Sequence, residues 1–131
     1  MQKRLFFSFY CSCRNLIKLD LSYNVIKNLS GLKKLHGPGF SLHTLHLQGN
    51  QLSSLDHVIN SIAGCRMLIQ LTLSQYGEAN PVCEIPHYRS SILTALKMLE
   101  ILDGLDRNGQ PAATKDIVFS IPGKILVIHS C

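Results

Sequence analysis

Histidine and cysteine are the side chains in this sequence best suited to ligating a metal or attacking a substrate, and their spacing argues against both. His43 and His46, with His57 or Cys65, supply imidazole and thiol donors. They match no zinc-binding spacing, because His43 and His46 sit on a short run among leucines with no paired thiolates beside them. The five cysteines (Cys11, Cys13, Cys65, Cys83 and Cys131) include no Cys-x-x-Cys pair and are odd in number. Scattered thiols of this kind fit a reducing compartment better than a disulfide framework. Cys65 and Cys83 read as buried small hydrophobes, and Cys131 as the thiol most open to oxidation. Neither a GxSxG elbow, an HExxH pair nor a phosphate-cradling loop occurs. Leu102-Asp103-Gly104 sets a carboxylate beside a glycine, which reads as a structural turn. No nucleophile stands beside a base. The sequence therefore predicts no enzyme, no cofactor and no metal.

Composition narrows the remaining classes. With 131 residues, 46% hydrophobic and 16% charged, the chain has room for one domain with a modest core and is too apolar for general disorder. The net charge of +5 is concentrated in the first third, where Lys3, Arg4, Arg14, Lys18, Lys27, Lys33 and Lys34 face the single acid Asp20. Such an end attracts acidic partners, but no interleaved aromatics mark a base-stacking surface, so nucleic acid is not the expected ligand. No apolar run is long enough to span a membrane. Met1-Gln2-Lys3-Arg4 followed by Leu5 to Cys11 has the outline of a secretory signal, yet the apolar part is short and no Ala-x-Ala site follows.

Leucine is the outlier, at 21 residues, and it recurs at fixed spacing. The pattern LxxLxLxxNxL is met by Leu16, Leu19, Leu21, Asn24 and Ile26, and again by Leu42, Leu45, Leu47, Asn50 and Leu52. Leu68, Leu71 and Leu73 begin a third copy. This is the leucine-rich repeat pattern, and it predicts an α/β solenoid. Each Leu-x-Leu is a short strand of a parallel sheet on the concave side, with alternate residues buried. Asn24, Asn50 and, arriving late, Asn80 turn the chain out of the strands. Their amides can bond backbone groups of their own and the neighbouring turn. Leu29, Leu32 and Leu35, then Leu55, Val58 and Ile62, have the spacing of 3-10 or short helical convex segments. His36-Gly37-Pro38-Gly39 marks an inserted loop. Counting back one repeat places Phe7, Tyr10 and Cys13 in convex positions, so residues 1–14 are read as a truncated upstream repeat in preference to a signal peptide. That start should leave Leu19 and Leu21 poorly covered and prone to self-association.

Asn80-Pro81-Val82-Cys83, Pro86, Tyr88-Arg89, Ile92-Leu93 and the closing Leu99, Leu102-Asp103-Gly104 form a different kind of segment. Pro86 suits the first turn of a helix, and Tyr88, Ile92, Leu96 and Leu99 would share one of its faces. The motif NPVCxxPxYRxxIL…LxxLDG resembles the C-terminal cap of the short leucine-rich repeat family, which includes phosphatase-regulator, spliceosomal, axonemal and centrosomal members. The late Asn80 and the Gly-Pro-Gly loop make it most similar to the N-terminal repeats of centrosomal members that continue into a long coiled coil. The organisation expected is therefore repeats over 15–105, with the cap at 80–105, and a tail over 106–131 outside them. In that tail Ile117-Val118-Phe119 and Ile125-Leu126-Val127-Ile128 read as two strands about a Pro122-Gly123-Lys124 turn, a sticky edge unless paired. No heptad pattern follows Asp103, so a short or partial form of such a protein is expected.

The resemblance implies a protein-binding adaptor of centrosome and spindle organisation, located in the cytoplasm and at the centrosome. A spliceosomal scaffold and a secreted recognition repeat are the alternatives. On the concave strands the residues between the leucines should meet a protein partner: Lys18, Asp20, Ser22 and Tyr23, then Thr44, His46 and Gln48, then Gln70, Thr72 and Ser74. Asp20, His46 and Thr72 should form one row. Tyr23 and His46, each an aromatic body with a polar tip, are the expected anchors.

Overall fold

In the computed structural model, which describes residues 3–4, 15–112 and 124–127, each Leu-x-Leu becomes a strand. In chain order the strands are β1 (Lys3–Arg4), β2 (Leu16–Asp20), β3 (Ile26–Asn28), β4 (Thr44–His46), β5 (Gln70–Thr72), β6 (Ile101–Leu102), β7 (Leu105–Asp106) and β8 (Lys124–Val127). Two α-helices are α1 (Leu55–Ile62) and α2 (Tyr88–Ala95), and Ser30–Leu35 and Pro81–Glu84 are 3-10 turns. The main sheet runs β7-β6-β5-β4-β2-β8 and is parallel except for β7, which folds back on β6. A separate parallel pair joins β1 to β3.

The register stacks identical residues. Leu19 pairs with Leu45, Leu45 with Leu71 and Leu71 with Leu102, and all four are fully buried. Against them pack Leu29, Leu32 and Leu35 of the first connection, Val58 and Ile62 of α1, and Val82, Ile92, Leu96 and Leu99 of the closing segment. At about 1.5–3 kcal/mol for each fully buried leucine, this single-shape core is the main source of stability. Helix α1 starts where Ser54 Oγ accepts the His57 N–H (3.2 Å), with Asp56 in its first turn at the positive end of the helix dipole.

The loop at 36–39 interlocks the convex layer. His36 Nε2 lies 2.7 Å from Ser61 O, and the Gly37 N–H donates to Gly64 O at 3.2 Å. A Cβ on Gly64 would fall 2.2 Å from His36 Nδ1, so only glycine leaves room for that imidazole. The Leu29 N–H donates to His57 Nε2 (2.8 Å), which fixes that histidine in the tautomer protonated on Nδ1.

Two expectations are corrected here. Pro86 lies outside α2, which begins at Tyr88 after His87 takes a left-handed conformation (φ 62°). The helix also stops at Ala95, so Leu96 and Leu99 reach the core from the chain that follows it. Pro81, instead, occupies the first turn of a 3-10 segment, where its lack of an N–H is harmless. Strand β8, within the 106–131 tail, lies parallel on β2. Residues 5–14, with the positions Phe7, Tyr10 and Cys13, and the 117–119 strand lie outside the described residues.

Candidate functional site

The Asn50 and Asn80 turns are each satisfied by their own layer and the preceding one. Asn50 Nδ2 donates to Leu47 O (2.9 Å) and to Leu21 O (3.0 Å), while its Oδ1 accepts the Ile26 N–H at 3.1 Å. Asn80, despite its late position, does the same: Nδ2 to Leu47 O (2.8 Å) and Leu73 O (3.0 Å), Oδ1 from the Leu52 N–H (3.0 Å). Asn24 donates to Leu21 O and Ser22 O. These ties hold neighbouring strands at one level and so align the residues on the sheet's other face.

That alignment gives two cross-strand rows. Asp20, His46 and Thr72 pair in sequence, as expected, and Lys18, Thr44 and Gln70 form the row beside them. The side chains differ in how much they offer. Lys18, Asp20, His46, Gln70 and Ser74 are half-buried, and Tyr23 is exposed, whereas Ser22, Thr44, Gln48 and Thr72 are enclosed. Ser22 is occupied locally, its N–H and hydroxyl both bonded to Asp20 Oδ1. The accessible surface is therefore narrower than the run of polar residues suggests.

Tyr23 and His46 stand out within it. Tyr23 sits at the rim with a left-handed backbone (φ 58°) and lies across Gly49, where an added Cβ would meet the Tyr23 ring at 3.0 Å. Gly49 is itself at φ +75°, so both space and backbone demand glycine there. His46 Nδ1 lies 3.0 Å from Thr72 Oγ1, which orients its ring along the row. Burial, and secondarily the Lys18 charge, lower its pKa, with Asp20 opposing them, so the neutral imidazole is favoured. His43, lowered by burial, is 3.1 Å from Thr44 Oγ1 and does not face His46 across a site. Among the described residues no group of three or more His, Cys, Asp or Glu side chains is arranged to hold a metal ion. Burial pushes the Cys65 thiol up to about 11, leaving it protonated and unreactive near neutral pH.

Beside this face lies a feature without a sequence signal. Between β5 and Asn80 the chain folds into a tight hairpin, with Gln75 and Glu78 exchanging backbone hydrogen bonds of 2.8 and 2.9 Å. Its tip is Tyr76 and Gly77, both at positive φ, and Tyr76 is 89% exposed. Asn-Gly is the usual signal for such a turn, so Tyr-Gly conceals it. Gln48 Nε2 reaches Gln75 Oε1 at 3.4 Å and ties the hairpin's base to the strand face.

The cap was legible as a motif, but its side-chain roles were not. Asp103 Oδ1 accepts the Leu73 and Ser74 N–H groups (2.7 and 3.0 Å), and Tyr88 OH donates to Oδ2. Burial and the Asp103 charge raise the Tyr88 pKa, so the phenol stays a donor. Arg89 donates to Leu102 O and Asp106 O, and so belongs to the structural frame.

Comparison with protein-family models finds no match. Over 87 residues the chain is 46% identical to the leucine-rich repeat and coiled-coil domain-containing protein 1 of Xenopus laevis. That stretch is 66% of this chain and 8% of the relative's length. Among solved structures, the Chaetomium Mex67:Mtr2 subunits superpose with a TM-score of 0.57 at 29% identity, covering 70% of this chain and 56% of that one. The Drosophila melanogaster SNF/U2A′ complex gives a TM-score of 0.56 at 25% identity, covering 71% of this chain and 53% of that one. Among the described residues no helix is long and apolar enough to cross a membrane.

Proposed function

For a chain carrying leucine-rich repeats like those of the leucine-rich repeat and coiled-coil domain-containing proteins, we propose the role of a protein-docking adaptor at the centrosome and spindle. The repeats form a short solenoid whose concave strand face meets the partner. The observation that carries this reading is the register: Asn50 and Asn80 lock the strands level, so Lys18, Asp20, His46 and Gln70 present a fixed polar array. Tyr23 stands at its edge as an anchor with little rotamer freedom to lose, since its ring already lies against Gly49. The hydroxyl–imidazole pair in this row, Thr72 with His46, has its threonine buried.

A ribonucleoprotein scaffold is the second reading, favoured by the likeness to the SNF/U2A′ complex, in which the repeat protein is assembled with another subunit. Gradient sedimentation of a cell extract carrying the tagged chain separates the two. Recovery with centrosomes, lost in Tyr23→Ala with His46→Ala, supports the first; recovery with nuclear ribonucleoprotein supports the second and refutes the first.

A further inference from the structure

A two-residue hairpin turn is built most easily with Asn-Gly, because both central residues adopt a left-handed backbone. The hairpin between β5 and Asn80 instead places Tyr76 there, at φ 52°, ahead of Gly77 at φ 80°. A bulky side chain makes that conformation costly, and at 89% exposure the ring is too open to recover the cost by packing. The folded chain alone therefore gives no reason for a tyrosine at the tip. At the base of the hairpin, hydrogen-bond acceptors gather. Gln75 and Glu78 exchange both backbone hydrogen bonds, so they stand directly opposite each other and project their side chains from one face of the ribbon. Gln75 Oε1 accepts from Gln48 Nε2 at 3.4 Å, longer than an ordinary hydrogen bond, so the Glu78 carboxylate shares the face of the hairpin that Gln48 meets. Gln48 is 7% exposed, and its own Oε1 is enclosed with no donor among the described residues. An enclosed acceptor left unpaired is unfavourable. From Met67 to Tyr88 the fixed charges are Glu78 and Glu84, both exposed, with no lysine or arginine among them.

We propose that this hairpin is an arginine-reading site: a guanidinium of the protein partner pairs with the Glu78 carboxylate, stacks on the Tyr76 ring and donates to the Gln48 and Gln75 amides. The inference rests on the protein-docking reading and supplies the chemistry of one contact within it. A guanidinium is flat enough to lie on an aromatic face and carries five N–H donors, so one group can serve several acceptors at once. A lysine ammonium can pair with Glu78, but it is strongly hydrated and has no flat face to stack. Gln48 supplies the adjustment. Its bond to Gln75 is long, so turning the amide towards the ligand gives up little and brings Oε1 a charge-assisted donor. Tyr76 is exposed already, on a backbone fixed by the two hydrogen bonds of the hairpin, so stacking orders little that is free. The strained tip is thus accounted for by binding and not by folding.

An NMR titration of the isotope-labelled full chain tests this with three probes: acetyl-arginine amide, acetyl-lysine amide and acetyl-citrulline amide, the last a neutral analogue of the first. The arginine compound should give saturable shifts at the Gly77 backbone amide and the Gln48 and Gln75 side-chain amides, with Kd on the order of millimolar for a single contact. The lysine compound should bind at least ~3-fold more weakly and the citrulline compound at least ~10-fold. Glu78→Gln should weaken the arginine compound at least ~10-fold. Tyr76→Asn should weaken it at least ~3-fold while raising Tm by about 2–4 °C, because asparagine suits the turn. Shifts that do not saturate by about 20 mM, or equal binding of the lysine and arginine compounds, would overturn the proposal. So would a Tyr76→Asn variant that binds as the parent does, or one whose Tm does not rise, since the tip would then hold no strain to explain. The titration contains no protein partner, so its outcome is independent of the strand-face variants that test the docking reading.

Discussion

The inner turns and the C-terminal cap solve the same problem with different side chains. Between layers, one neutral amide is enough. Asn50 gives two donors to carbonyls of its own and the preceding layer and takes one N–H of the preceding layer in return. After β6 the chemistry divides. Asp103, which only accepts, takes the two N–H groups of Leu73 and Ser74. Arg107, which only donates, takes carbonyls around the end of α2: Leu93 O (3.1 Å), Leu96 O (2.9 Å) and Leu99 O (2.7 Å). A repeating interior can use one residue that does both jobs; an end requires one residue for each.

The comparison breaks most sharply at Asn50. Asn50→Leu strands the Ile26 N–H in a dry layer and takes one of two donors from each of Leu21 O and Leu47 O, and should cost about 2–3 kcal/mol in a urea melt. A cost under ~1 kcal/mol would mean that the leucine stack alone sets the strand levels. Asp103 comes next. Asp103→Ala should cost about 2 kcal/mol, and Asp103→Asn should recover roughly half of it, because an amide oxygen still accepts from Leu73 and Ser74. Equal losses for the two variants would show that charge, not acceptance, is what the cap needs.

Arg107→Ala should cost about 1 kcal/mol, with faster amide exchange confined to the end of α2. The smallest effect is the pH dependence. Because His46 and His43 are held below the ordinary histidine value of 6.5, the unfolded chain binds more protons than the folded one just under that pH. Stability should therefore fall as pH drops below 6.5, and stop falling once the folded-state values are passed. His46→Gln, which keeps a partner for Thr72, should flatten part of that decline in thermal melts; an unaltered profile would remove His46 from the account.

What the sequence revealed and what it hid follow one physical division. The leucine frame, the convex connections and the roles of Asn50 and Asn80 were legible because they recur, and recurrence specifies both a residue and its neighbour one layer away. The row Asp20, His46 and Thr72 was legible for the same reason. The enclosure of Thr44, Gln48 and Thr72 was not, since it depends on the lengths of side chains on adjacent strands. Asp103 was readable as a turn residue, but its bonds reach back thirty positions to Leu73, and no local pattern carries that. The hairpin at Tyr76 was not legible, because a left-handed tyrosine at a hairpin tip has no sequence signature. The apolar 125–128 run was readable as strand, while the edge that Lys124–Val127 pairs with lies more than a hundred residues upstream at β2.

The central claim is that the strand face is the docking surface, and a binding titration tests it most directly. The partner recovered with the parent chain is purified and titrated against three proteins: the parent, Tyr23→Ala with His46→Ala, and Lys33→Ala with Asn60→Ala on the exposed connections opposite the sheet. Arg89 is avoided as a control, because it holds Leu102 O and Asp106 O in the cap. The face variant should weaken Kd by at least ~10-fold, and the opposite-side variant by less than ~2-fold, with melts matching the parent. A Kd unmoved by the face variant and weakened by the opposite-side pair would place the partner on the other side of the molecule.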